Sequence, residues 1–226
     1  DAKTVAKQIG DELDGWQLEG SVHNVARRDG IGSIIVDAAF TIGQLPDHYF
    51  QGIGGGPGPI GIHEMAKRLV EEEIFDGPVP IQHLSQNVEH HPIHSAWQDR
   101  RGQLIAQDFP DEDVEVYSDY LLNKGPAYGQ VGAVHDILKE SNGQTHIVEK
   151  HDAIKMRELI ESIEEIVIMT PGAVAAASLV QAVKDGSVDA NDCVLLNISG
   201  GGVKRLKNDV QTRQIEPWLT AKKEDA

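Results

Sequence analysis

Short apolar runs alternate with helical segments along this chain of 226 residues. Runs rich in β-branched or aromatic residues predict four strands: HYFQGI (48–53), VPIQHLS (79–85), THIVEK (145–150) and DCVLLNIS (192–199). Helical periodicity or helix-start prolines predict helices over 1–13, 31–44, from Pro59 onward, 131–140, 151–164 and 171–186, with a loop over 19–30. Several strands are apolar on both faces. The sequence therefore predicts the α/β class, a mostly parallel sheet with helices on both faces.

The charge of the chain limits its partners. With 36 acidic and 20 basic residues its formal net charge is −16, which argues against nucleic acid or an anionic membrane as the main partner. Since neither a signal peptide nor an apolar run of about 18 residues is present, we expect a cytoplasmic protein. The polar stretch 98–128, which contains DFPDEDVE, predicts an acidic surface insertion.

A glycine-rich loop separates the first predicted strand from the next helix. Gly54, Gly55, Gly56 and Gly58 fall within the stretch GIGGGPGPIG at 52–61. Glycine lets backbone N–H groups approach an anion closely, and a helix N-terminus favours negative charge, so the loop predicts a phosphate site. A tight turn without a ligand is the alternative. The stretch also fits the dinucleotide pattern GxGxxG, but the next strand ends in SQN and offers no acid for a ribose.

A second glycine run, SGGG at 199–202, follows the last predicted strand. Ligands of parallel α/β sheets bind outside the carboxyl ends of the strands, where both runs are expected. A ligand that reaches both would carry a phosphate at one end and meet a small polar group, Ser199, at the other. Pyridoxal phosphate fits this description.

Five stretches together resemble the C-terminal part of fold-type-II pyridoxal-phosphate enzymes, the tryptophan-synthase-β-like superfamily. They are EGSVHNVARRDG (19–30), DAAFTIGQLPDHYF (37–50), GIGGGPGPIG (52–61), QHLSQN (82–87) and LLNISGGGVKRLK (195–207). Within the superfamily the chain is similar to the threonine synthase and cysteate synthase branch, and NVARRDG, LPDHYFQ and HLSQN are nearer to cysteate synthase. The resemblance implies that residues 1–14 end a small domain, that 15–226 belong to the large cofactor-binding domain, and that the full-length protein is a homo-oligomer.

The resemblance also implies roles for individual residues. The cofactor phosphate would be held by the loop glycines Gly54, Gly55, Gly56 and Gly58. Pro57, where the family usually has a polar residue, removes one amide donor. Ser199 would face the pyridine nitrogen, and its hydroxyl would not keep that nitrogen protonated, which suits β-elimination and replacement. Ser21 with Arg27 or Arg28 would bind the phosphate of the substrate, and a solvated arginine pair is the alternative.

The implied activity is that of a pyridoxal-phosphate-dependent transferase or lyase. By resemblance it would convert O-phospho-L-serine and sulfite to L-cysteate and phosphate, on the archaeal route to coenzyme M. Threonine synthase, which acts on O-phosphohomoserine, is the alternative within the branch. No lysine of this chain lies in a motif matching the Schiff-base lysine, so we expect no such catalytic residue here and no activity of the chain alone. The alternative of another class is a non-catalytic domain that binds a phosphate ligand.

Four histidines crowd the segment QHLSQNVEHHPIH: His83, His90, His91 and His94. Imidazoles at such spacing can bind zinc or nickel. No cysteine or HExxH helix supports a metal site, and a polar loop beside the active site is the interpretation we favour. We therefore predict no metal.

Overall fold

A computed structural model describes residues 2–12, 19–110, 114–199 and 203–211. Its helices are α1 (Ala2–Glu12), α2 (Val25–Ile42), α3 (Pro57–Glu71), α4 (Pro92–Gln98), α5 (Val134–Glu140), α6 (Lys150–Glu164), α7 (Thr170–Asp185) and α8 (Val203–Asp209). Its strands are β1 (His48–Gly52), β2 (Ile81–Asn87), β3 (Gln144–Val148) and β4 (Val194–Leu196). The strands form one sheet of order β3-β2-β1-β4, and every pairing is parallel. The predicted α/β class is therefore confirmed.

Helices cover both faces of the sheet because the strands bury residues on both sides. Tyr49 packs with Ile35 of α2 and Ile62 of α3 in one apolar cluster. Its neighbour Phe50 points to the opposite face and packs with Ala182 of α7. Both aromatic side chains are fully buried. This alternation of direction along β1 explains why its sequence is apolar at successive positions.

Two helices begin at least two residues earlier than the sequence predicts. Residues 25–30, predicted as loop, form the first turns of α2. Asn24 caps this helix, because its side-chain oxygen accepts a hydrogen bond of 3.1 Å from the N–H of Arg27. Helix α3 begins at Pro57 rather than Pro59, a position where the missing proline N–H leaves no intrahelical bond unmade.

The predicted acidic insertion contains little regular structure. Between α4 and α5 the described residues form two short 3-10 turns, Ala106–Asp108 and Asp119–Leu121, and residues 111–113 lie outside the description. Arg101 donates a hydrogen bond of 2.8 Å to the carboxylate of Asp108, whose side chain is almost fully buried. The segment is thus anchored to the domain, and its origin as an insertion stays a prediction, as do the domain boundaries. No helix in the described part of the chain is long and apolar enough to cross a membrane.

Glycines at the contact between α2 and α3 bring the two helix backbones together. A Cβ atom at Gly61 would lie 2.6 Å from the carbonyl oxygen of Arg28. A Cβ at Gly32 would lie 2.8 Å from the Cβ of Met65. Real side chains do not tolerate either distance, so the close approach of these helices requires glycine at both positions.

Three buried histidines form a ladder across β1, β2 and β3, on the face that α7 covers. The Nδ1 of His48 lies 2.9 Å from the Nε2 of His83, whose Nδ1 lies 3.0 Å from the Nε2 of His146. At the β1 end of this ladder, the carboxylate of Asp192 lies 3.2 Å from the Nε2 of His48. Burial and the neighbouring imidazoles lower the pKa of His83 to about 3, and burial lowers the pKa of His146 to about 4. His83 and His146 are therefore neutral at pH 7.

We expect Gly61→Ala to lower the free energy of unfolding by about 1–3 kcal/mol, because the new methyl group forces α2 and α3 apart. Gly30→Ala is the matched control, since a Cβ at Gly30 meets no atom within 4 Å. That substitution should raise stability by about 0.5–1 kcal/mol through helix propensity. Urea unfolding of the two variants measures both effects, and equal responses would contradict the packing argument.

We expect the protein to lose stability as the pH falls below about 6.5, the pKa of an unperturbed histidine. In this range His83 and His146 bind protons in the unfolded chain but not in the folded protein. Together they should therefore lower the free energy of unfolding by about 2 kcal/mol per pH unit between pH 6 and 5. In His83→Gln the slope should be shallower by about 1 kcal/mol per pH unit, whereas His151→Gln, at an exposed position of α6, should keep it. Urea unfolding at several pH values decides, and an unchanged slope in His83→Gln would refute the assignment.

Candidate functional site

The candidate site lies at the carboxyl edge of the sheet, between the ends of β1 and β4. These strands pair in parallel, with His48 beside Val194 and Phe50 beside Leu196. The pairing continues past β4, because the N–H of Asn197 donates a hydrogen bond of 2.9 Å to the carbonyl of Phe50. The glycine loop that follows β1 and the Ser199 that follows β4 therefore meet at one edge.

A cavity of about 360 Å³ opens there. It is lined by the glycine loop, by Ser199, and by residues that reach the edge from other elements: Arg27, Ile31, Gln51, Gly52, Ile53, Pro57, Pro59, Tyr120, Leu121, Met169 and Pro171. The volume is within the range of small-molecule sites. Gly200, Gly201 and Gly202 lie outside the described residues.

The loop offers the cavity several backbone donors. In the described part of the chain, the N–H groups of Gly54, Gly55, Gly56 and Gly58 donate no hydrogen bond to protein atoms. Gly56 precedes α3 with φ +103°, a conformation that favours glycine. The two prolines at 57 and 59 contribute no donor, so Gly58 carries the only N–H among the first three residues of the helix.

A hydrogen-bonded chain of side chains underlies the cavity. The amide nitrogen of Asn197 donates to the hydroxyl of Tyr49 at 2.7 Å, and this hydroxyl donates to the Oε1 of Gln51 at 2.8 Å. Tyr49 is fully buried, and burial raises the pKa of its phenol well above the usual value while the bond from Asn197 opposes that rise. Sequence patterns do not identify Gln51 and Tyr49, because their only signal is a polar residue near the end of an apolar strand.

The two candidate arginines have different surroundings. Arg27 lines the cavity, is half exposed, and pairs with the carboxylate of Glu19 at 2.6 Å. Arg28 lines a separate cavity of about 310 Å³, pairs with Glu64 at 2.8 Å, and also donates to the carbonyl of Val22. Ser21 is exposed and does not line the cavity that holds Arg27. The structure thus brings Arg27, but neither Ser21 nor Arg28, to the glycine loop.

The four histidines of the predicted cluster do not converge. His83 belongs to the buried ladder, whereas the Nε2 of His90 lies 3.2 Å from the carbonyl oxygen of Asn123. His94 shares a hydrogen bond of 2.9 Å with Thr145, and the ring of His91 lies beside it. Among the described residues, no group of three or more His, Cys, Asp or Glu side chains is placed to hold a metal ion.

Comparison with curated sequences supports the resemblance to cysteate synthases. No family model matches the chain. The chain is 42% identical over its whole length to the cysteate synthases of Methanosarcina barkeri and Methanosarcina acetivorans. The alignment covers 55% of each of these proteins, so the chain spans about half the length of the curated relatives that it matches. The predicted resemblance is confirmed.

Solved structures support the fold. A threonine deaminase from T.th. matches 84% of this chain with 58% of its own, at a TM-score of 0.54 and 15% identity. A pyridoxal 5'-phosphate-dependent aspartate racemase matches 77% of this chain with 49% of its own, at a TM-score of 0.59 and 12% identity. At these identities the likeness establishes the fold, which is that of the fold-type-II enzymes predicted from the sequence.

We expect substitutions of the two arginines to separate binding from stability. Arg27→Gln should weaken the binding of inorganic phosphate severalfold and change the free energy of unfolding by less than about 0.5 kcal/mol, because its ion pair is exposed. Arg28→Gln should lower stability by about 1–2 kcal/mol and leave phosphate binding unchanged, because Glu64 and the Val22 carbonyl lose their donor. Calorimetric titration and urea unfolding measure the two effects. The reverse pattern would contradict the assignment to Arg27 and place the anion site at Arg28.

Proposed function

We propose that this chain is part of a pyridoxal-phosphate-dependent enzyme of the cysteate synthase type, which converts O-phospho-L-serine and sulfite to L-cysteate and phosphate. The observation that carries the proposal is the 42% identity to cysteate synthases along the whole chain. The glycine loop and Ser199 line one cavity, as a cofactor bound at both ends requires. We assign the activity to a protein of the length of these relatives, of which this chain spans about half.

The residues that line the cavity fit pyridoxal phosphate. The unpaired N–H groups of Gly54, Gly55, Gly56 and Gly58 match the acceptor oxygens of a phosphate, and the N-terminus of α3 adds a favourable dipole. Ser199, which follows β4 and lines the cavity, carries a hydroxyl suited to an unprotonated ring nitrogen. When bound, the cofactor withdraws electrons from the Cα of the attached amino acid, which permits loss of the α-proton and of the β-substituent.

Arg27 is our candidate for the phosphate group of the substrate. The formal charge of −16 repels two anionic substrates, so a local cation has to offset that field at the site. Arg27 is the one basic side chain among the described residues that line the cavity. Its guanidinium can turn from Glu19 to a phosphate at little cost, since exposed ion pairs contribute about 0.2–1 kcal/mol.

We assign no residue of this chain as the Schiff-base lysine. No lysine lines the cavity in the part of the chain that the structure describes. We therefore propose that this chain alone binds the cofactor without a covalent bond and does not complete the reaction.

Assays of the protein with its complete natural sequence test the proposed function. We expect phosphate release from O-phospho-L-serine and formation of L-cysteate when sulfite is present, measured by colorimetry and mass spectrometry. O-phosphohomoserine, which is one carbon longer, should yield no threonine. Threonine from O-phosphohomoserine without cysteate from phosphoserine would contradict the proposal and favour threonine synthase, and binding of phosphate without either reaction would favour a non-catalytic domain.

A further inference from the structure

The carboxamide of Gln51 lies against the start of α3. A Cβ atom built at Gly58 would overlap this group, and its nearest neighbour would be the Nε2 of Gln51. Glycine at position 58 therefore leaves the space that the carboxamide occupies. Gln51 also lines the cavity between the glycine loop and Ser199. Gln51 thus lines the same cavity as the predicted phosphate cradle, with its amide group against Gly58.

The hydrogen bonds beneath the cavity determine which atom of this amide is engaged by the protein. Asn197 donates to the hydroxyl of Tyr49, so the single proton of that hydroxyl is free to go to the Oε1 of Gln51. With Oε1 engaged as an acceptor, the two N–H bonds of Nε2 remain. In the described part of the chain, Nε2 donates to no protein atom. Burial raises the pKa of Tyr49, which keeps its hydroxyl protonated and maintains this order.

The glycine loop lacks donors where Gln51 can supply them. Most helices present free N–H groups throughout their first turn, and anions bind there. In α3 the first and third residues are Pro57 and Pro59, and neither has an N–H. Gly58 lies between them, and the Gln51 amide lies against it. A side-chain amide therefore lies against the residue between the two prolines.

We propose that Gln51 is a phosphate-binding residue, whose Nε2 donates to the phosphate of the cofactor in place of the donors lost at Pro57 and Pro59. Tyr49 and Asn197 are positioning residues that hold the carboxamide in this orientation. The inference rests on the proposed function for the identity of the ligand. The donor set itself would serve any phosphate monoester that enters the cavity.

Binding experiments on the 226-residue chain test this proposal with three probes: pyridoxal phosphate, pyridoxal and inorganic phosphate. Gln51→Glu keeps an acceptor for Tyr49 and replaces the donor with an anionic oxygen, and Gln51→Met removes the donor without adding charge. Both variants should bind pyridoxal phosphate and inorganic phosphate at least about tenfold more weakly than the native chain. Affinity for pyridoxal, which has no phosphate, should change less than about twofold.

Tyr49→Phe tests the positioning chain. It removes the proton that orients Gln51 and should weaken phosphate binding about two- to fivefold, again without affecting pyridoxal. Gln44→Glu is the matched control, because it adds the same charge at an exposed turn away from the cavity and should change none of the affinities. Circular dichroism and urea unfolding identify any variant that fails to fold. If Gln51→Glu does not fold, the uncharged variant Gln51→Met tests the donor in its place.

The outcomes separate this inference from the proposed function. Equal binding of pyridoxal phosphate by the native chain and both Gln51 variants overturns the inference and leaves the function intact. Binding of inorganic phosphate but not of pyridoxal phosphate, with the loss in both variants, supports the inference and overturns the cofactor assignment. A native chain that binds none of the three probes overturns the inference and the proposal that this chain alone binds the cofactor. Equal losses for pyridoxal and its phosphate show that Gln51 only maintains the fold.

Discussion

The parallel pairing of β1 with β4 determines the candidate site, because it joins two segments that are about 145 residues apart in the sequence. Only three residues of β4 form the pairing, from Val194 to Leu196. Backbone bonds extend it at both ends, from Asp47 to Cys193 and from Asn197 to Phe50. The side-chain bond between Asn197 and Tyr49 adds a further link directly below the cavity. Loosening this edge strand would therefore move Ser199 away from the glycine loop while most of the core stayed packed.

The glycines of the loop meet two demands at once. The sequence offered a choice between a phosphate cradle and a tight turn, but the packing shows why the two are not exclusive. A Cβ at Gly54 would lie 3.1 Å from the carbonyl oxygen of Tyr120, and one at Gly55 would lie 2.9 Å from the amide nitrogen of Asn123. Segment 120–123 thus covers one side of the loop, and small residues are needed there whether or not a ligand binds. The unpaired N–H groups, not the number of glycines, are what favour an anion.

Sequence patterns were enough to predict the strands, most helices and the two loops at strand ends, because these follow from local periodicity and from glycine and proline positions. They could not predict the hydrogen bonds that link the side chains of Asn197, Tyr49 and Gln51, because these bonds depend on β4 lying beside β1 rather than beside β3. They also grouped His83 with His90 by proximity in sequence. In the sheet, strand pairing places His83 between His48 and His146, which are distant in sequence but lie on neighbouring strands. The early start of α2 was missed because Gly30 and Gly32 weaken the helical pattern around it.

The donors at this site are mostly neutral, which matters on a chain with a formal charge of −16. A cluster of lysines or arginines would attract an anion more strongly, but it would also attract the carboxylates that outnumber the bases. Arg27 shows the consequence, since its guanidinium already pairs with Glu19. Backbone amides and a carboxamide held by Tyr49 carry no net charge, so they attract distant carboxylates less than a full cation does, and the fold orients them before a ligand arrives. A preorganised set of neutral donors therefore lets an acidic protein keep a phosphate site open.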